Sequence, residues 1–153
     1  MNDWQCSRMY VAQAEIGKSN HFANMAEVKD FVDEVIDSEW WDGRFGFVRV
    51  ELRDGRGCKH ANVKGFILEF INSNVLMFYV ISLPRWSRTP ETILHELAHV
   101  ATDTKYGFDV PAHGREFCEV YLNLVSEWIG EKTADRLQRS FEYYNVEWEE
   151  SDV

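Results

Sequence analysis

The segment TPETILHELAHVATDT, residues 89–104, restricts this chain more than any other. Thr89 is placed to cap a helix, and Pro90 suits its first position, where a missing N–H costs nothing. The helix then offers Ile93, Leu94, Leu97 and Val100 for burial. It also sets His95 and His99, four residues apart, one above the other on one face. Any fold built around this helix must supply apolar neighbours and still leave room for two imidazoles.

The remaining pattern predicts a small α+β domain spanning residues 1–153. MAEVKDFVDEVIDS has Met25, Val28, Phe31, Val32, Val35 and Ile36 at helical spacing, with charged residues between. WWDGRFG breaks that pattern. FVRVELR alternates, with Val48, Val50 and Leu52 on one face and Arg49, Glu51 and Arg53 on the other, as a half-buried strand does. DGRG reads as a hairpin turn on Gly55 and Gly57. GFILEF and VLMFYVISL, joined by the turn-rich INSN, complete three or four strands of a small, mostly antiparallel sheet. KYGFDVPAHG is a loop. REFCEVYLNLVSEWI, stopped by Gly130, and EKTADRLQRSFEYYN are the last two helices.

The spacing of the two histidines carries chemistry. His95 and His99 can present two ring nitrogens to one ion. Glu96 is rotated by about 100° around the helix, out of line for ligation but within reach of water at the ion. Zinc lowers the pKa of such a water to about 7, and a neighbouring carboxylate can take its proton. H-E-x-x-H is therefore a metal-and-base pattern. A catalytic zinc site normally has three protein ligands and one open position. The metzincin pattern needs a glycine and a histidine close behind His99, and VATDTKYG does not place them there, so that class is excluded. The third ligand is then His113, 14 residues after His99 and just past the loop, or Glu119 on the following helix, as in the gluzincin pattern. His113 is preferred. Asp103 is placed to orient a ligand imidazole or to sit on the helix surface. Arg115, Tyr106 and Tyr121 are alternative oxyanion stabilisers. His60 reads as a sheet histidine, His21 as an exposed one. Trp40 and Trp41 line a cleft or pack.

Composition limits what this site serves. The chain has 153 residues, 45% of them hydrophobic and 14% aromatic, enough for one core. No apolar run reaches membrane-spanning length. MNDWQCSRMY lacks the features of a signal peptide, which points to the cytosol. Three widely spaced cysteines form neither a disulfide framework nor a C-x-x-C knuckle. The net charge of −10 disfavours nucleic acid and anionic membranes, although residues 44–64 are locally basic and VEWEESDV is acidic.

HELAHVATDTKYGFDVPAHGREFCEVY resembles the SprT-like and Spartan metalloproteases in its H-E-x-x-H helix, its later histidine and its HGxxF signature, here HGREF. With SRMYVAQAE and ISLPRW, the wider chain is similar to a group of small uncharacterised metallohydrolases of actinobacteria and their phages. The resemblance implies a zincin-like fold, zinc held by His95, His99 and His113, Glu96 as general base, and hydrolysis of protein or peptide substrates. Spartan-type enzymes act on proteins crosslinked to DNA. This chain lacks their zinc-ribbon cysteines and long basic tail. Two other readings stand beside the peptidase: a metallohydrolase of a non-peptide bond, and a regulatory or binding protein with a structural metal site.

Overall fold

Asn24 starts the first long helix of the chain's middle portion by accepting the Glu27 N–H on its side-chain oxygen at 2.9 Å. The computed structural model describes residues 2–71 and 74–148. Among them the chain is α+β, with six helices and one three-stranded mixed sheet. The helices are α1 (Cys6–Ala14), α2 (Met25–Ile36), α3 (Glu39–Phe45), α4 (Pro90–Tyr106), α5 (Arg115–Trp128) and α6 (Glu131–Tyr143), and the strands are β1 (Arg49–Asp54), β2 (Asn62–Ile71) and β3 (Asn74–Leu83). The chain divides into two compact units, Asn20–Glu96 and Met1–Ser19 with Leu97–Val153. The division falls inside α4, which runs through it unbroken.

In the Asn20–Glu96 unit, α2 buries Val28, Val32 and Val35, the stripe that its spacing predicts. WWDGRFG forms α3, because Ser38 accepts the Trp41 N–H at 3.0 Å and caps a new helix. Trp41 is fully buried against Phe45, and Arg44 lies over the Trp40 ring at 4.2 Å, so this aromatic pair packs.

The sheet is mixed, where a mostly antiparallel one is expected. Its order is β1-β3-β2, with β1 parallel and β2 antiparallel to β3. DGRG does turn, through a Cys58 N–H to Gly55 carbonyl bond of 2.8 Å and a Gly57 φ of +86°. It does not make a hairpin, because Gly55 instead donates to the Leu83 carbonyl at 3.1 Å and continues the parallel ladder. A Cβ on Gly55 would stand 2.5 Å from the Pro84 nitrogen, so only glycine lets the two backbones approach this closely. His60 is exposed and precedes β2, outside the sheet where the alternation placed it. INSN includes residues 72 and 73, and VEWEESDV includes 149–153; these lie outside the described residues.

In the other unit, α1 is fixed on α6. Met9 and Ala12 are fully buried, and Ser140 donates to the Ala12 carbonyl at 2.8 Å. α5 contributes Phe117, Val120, Tyr121, Leu124 and Val125 to the core. Gly130, at a φ of +138°, carries the chain from α5 into α6.

Thr89 takes the Thr92 N–H at 3.4 Å at the start of α4. From Glu91 through Thr102 every residue of this helix except His99 is buried. An amphipathic helix would expose one side; α4 is enclosed from Glu91 through Thr102, and the polar groups along that stretch therefore need a chemical reason to be there. Among the described residues no helix is long and apolar enough to cross a membrane.

Candidate metal centre

His95 is 2% exposed and Glu96 is 6% exposed, while His99, one turn after His95, keeps part of its edge accessible. His113 stands at the end of the loop between α4 and α5 and is buried. The ligand atoms of His95, His99 and His113 all lie within 4.8 Å of one another, so the three can hold a metal ion.

Two elements position the third histidine. The N-terminal segment grips its backbone and ring together. Asp3 accepts the His113 N–H at 2.9 Å and its Nδ1 at 2.8 Å. Gln5, fully buried, donates to the His113 carbonyl at 2.9 Å. The same Gln5 amide donates to the Glu147 carbonyl at 3.0 Å and accepts the Glu147 N–H at 2.9 Å. α5 supplies Phe117, whose ring lies 4.5 Å from that of His99 and 5.0 Å from that of His113. Phe117 is the last residue of HGREF. Its place in that signature has a physical meaning here, as the wall against which two imidazoles stand.

A carboxylate can only accept, so the Asp3 contact puts the proton of neutral His113 on Nδ1 and its lone pair on Nε2. Burial alone would raise the Asp3 carboxyl, but hydrogen bonds from the His113 ring and backbone, and its charge, outweigh it and lower the pKa. The Cys6 thiol also bonds Asp3, and burial together with that contact pushes it up. Asp3, Cys6 and His113 form a second close group of ligand atoms, in which each already satisfies another; we read it as the support of His113.

The donor set suits a divalent cation. Burial, and next the charge of His113, lower the His99 pKa to about 3, so at neutral pH its ring keeps a lone pair to give. Burial pushes the Glu96 carboxyl up to about 7. A carboxyl poised there can bind and release a proton near neutral pH.

Several other residues singled out by the sequence have contacts of their own. Glu119 accepts from Lys105 and from the Tyr106 hydroxyl, both at 3.4 Å. Tyr121 is fully buried and stacks on Phe117 at 5.9 Å. Arg115 lies 3.6 Å from Glu116. Burial raises Asp103 to about 6; the carboxylate that orients a ligand ring is Asp3, 110 residues from it in sequence. His21 is exposed, with its Nε2 3.0 Å from the Trp86 carbonyl oxygen. Sequence reasoning missed Asp3, Gln5 and Tyr10, whose hydroxyl lies 3.3 Å from His113 Nε2. No family model, no curated protein and no solved structure matches this chain.

Proposed function

We propose that this protein is a zinc-dependent hydrolase, and a peptidase of SprT-like type in a zincin-like fold. The observation that carries the reading is the convergence of three imidazoles, their ligand atoms within 4.8 Å of one another, with a buried carboxyl directly after the first of them. A divalent ion held there supplies Lewis-acid chemistry, polarising a carbonyl and acidifying water. Glu96, buried beside the ion, takes the proton of the attacking water and passes it to the leaving amine. His95 and His99 hold their spacing through the helix, and Asp3 holds His113. A purely structural metal site has no use for a buried carboxyl at this position.

The substrate is a protein or peptide. A net charge of −10 argues against DNA as an obligatory partner. Three free cysteines fit a reducing compartment, and we place the activity in the cytoplasm.

The test has two steps. Zinc content is measured for the wild type and for His113→Ala; full zinc in the variant refutes His113 as a ligand. Cleavage of denatured casein, with and without DNA, is then compared for the wild type and Glu96→Gln. Equal cleavage by the two removes the general base. Zinc binding without cleavage of any peptide refutes the peptidase reading and leaves the non-peptide hydrolase.

A further inference from the structure

Tyr10 is the residue of this neighbourhood that the reading above does not use. It sits on the outer face of α1, 48% exposed. Its neighbours Met9 and Ala12 anchor that helix in the core, so the ring is held in place by a fixed backbone. The ring centroid is 5.0 Å from that of His113, and the hydroxyl is 3.3 Å from Nε2.

The tautomer decides what this contact means. Asp3 accepts a hydrogen bond from Nδ1–H, so in the neutral ring Nε2 is the nitrogen left to bind an ion, and the Tyr10 hydroxyl donates to its lone pair. One lone pair cannot serve a proton donor and a cation together. The hydroxyl and the ion therefore compete for the same electrons, and the solvent-open ring can yield without leaving a cavity.

We propose that Tyr10 is a further catalytic residue of this site. Its hydroxyl covers the ligating nitrogen of His113 until the ion takes that position, and then serves as hydrogen-bond donor to the carbonyl oxygen of a bound substrate. This rests on the metal-hydrolase reading. It takes the oxyanion role in place of Tyr106 and Tyr121, since Tyr121 is enclosed in the core and the Tyr106 hydroxyl is turned to Glu119.

The experiment uses the full chain and its Tyr10→Phe variant. Zinc affinity is measured by competition with a chromogenic chelator, cobalt(II) visible spectra are recorded, and casein cleavage is followed. Tyr144→Phe, which removes an exposed hydroxyl bonded to Glu15, is the control. Loss of the competing hydrogen bond tightens zinc binding by Tyr10→Phe about two- to tenfold. Turnover by the zinc-loaded variant falls on the order of a hundredfold, as for removal of one oxyanion donor. The cobalt bands shift in Tyr10→Phe and stay unchanged in Tyr144→Phe. Affinity that is unchanged or weakened in Tyr10→Phe, or turnover equal to wild type, overturns the proposal while the metal site stands. A wild type that takes up neither zinc nor cobalt overturns the metal reading, and this inference with it.

Discussion

Replacing Glu96 with glutamine should stabilise the metal-free protein, and more so as the pH rises. The carboxyl is 6% exposed and burial lifts its pKa from 4.5 to about 7. Between those two values the folded chain holds a proton that the unfolded chain has released. Stability changes with pH in proportion to the protons bound by the unfolded state minus those bound by the folded one. That difference is negative here, so stability falls as pH rises from about 4.5 through about 7 and is level beyond. The full loss is about 3 kcal/mol, since each pKa unit corresponds to about 1.4 kcal/mol. Glutamine has the same shape and does not titrate. Its own desolvation cost is constant with pH and drops out when the wild-type-to-variant gap is compared at two pH values. His99 and Asp103 titrate in both proteins and drop out as well. The gap should widen in favour of Glu96→Gln by about 2–3 kcal/mol between about pH 5 and about pH 8. For a chain of this length that is about 5–10 °C in Tm. The assay is thermal unfolding after exhaustive chelation, because a bound cation favours the carboxylate and would hide the effect. A gap that does not change with pH would falsify the claim that burial raises the Glu96 carboxyl in the metal-free protein.

Three other perturbations test parts of the structure separately. Asp3→Ala frees the Nδ1 of His113 and should weaken zinc binding about ten- to hundredfold by chelator competition; unchanged affinity would show that His113 needs no support. Gln5→Ala removes one hydrogen bond from the His113 carbonyl and one from each backbone group of Glu147, and should cost about 2–4 kcal/mol in urea unfolding. Gly55→Ala forces a methyl group to within 2.5 Å of the Pro84 nitrogen and should destabilise by about 1–3 kcal/mol, read by the same titration. A neutral result there would mean that the β1 to β3 junction yields easily.

The helices legible in the sequence were those whose periodicity or caps act locally. α2 shows its stripe, α4 its Thr89 cap, and α5 and α6 flank Gly130. α1 gave no such sign. Met9, Tyr10 and Val11 are consecutive apolar residues, and only Met9 and Ala12 are fully buried, so no stripe of helical period appears. Strand existence was legible and strand pairing was not. Alternation fixes which side chains share a face of β1, but it contains nothing about the neighbour. DGRG favours a hairpin on local grounds, and the Gly55 bond to Leu83 supplies the non-local reason that β1 joins β3 in parallel.

The candidate site divides along the same line. His95, Glu96 and His99 are related by helix geometry, which two positions and a period determine. His113 needed one further step, a loop that turns back. Asp3, Gln5 and Tyr10 stand more than 100 residues from the histidine that they contact, and no spacing rule reaches that far. Yet these three decide the chemistry of His113. Gln5 fixes where its backbone lies, Asp3 fixes which nitrogen carries the lone pair, and Tyr10 faces that lone pair. A loop histidine by itself is a mobile and indifferent ligand. Held at its N–H, its carbonyl and its Nδ1, it has one nitrogen to offer and one direction in which to offer it. The N-terminal segment is thus as much a part of the metal centre as H-E-x-x-H. Shortening the chain past Gln5 should abolish tight zinc binding even with all three histidines in place.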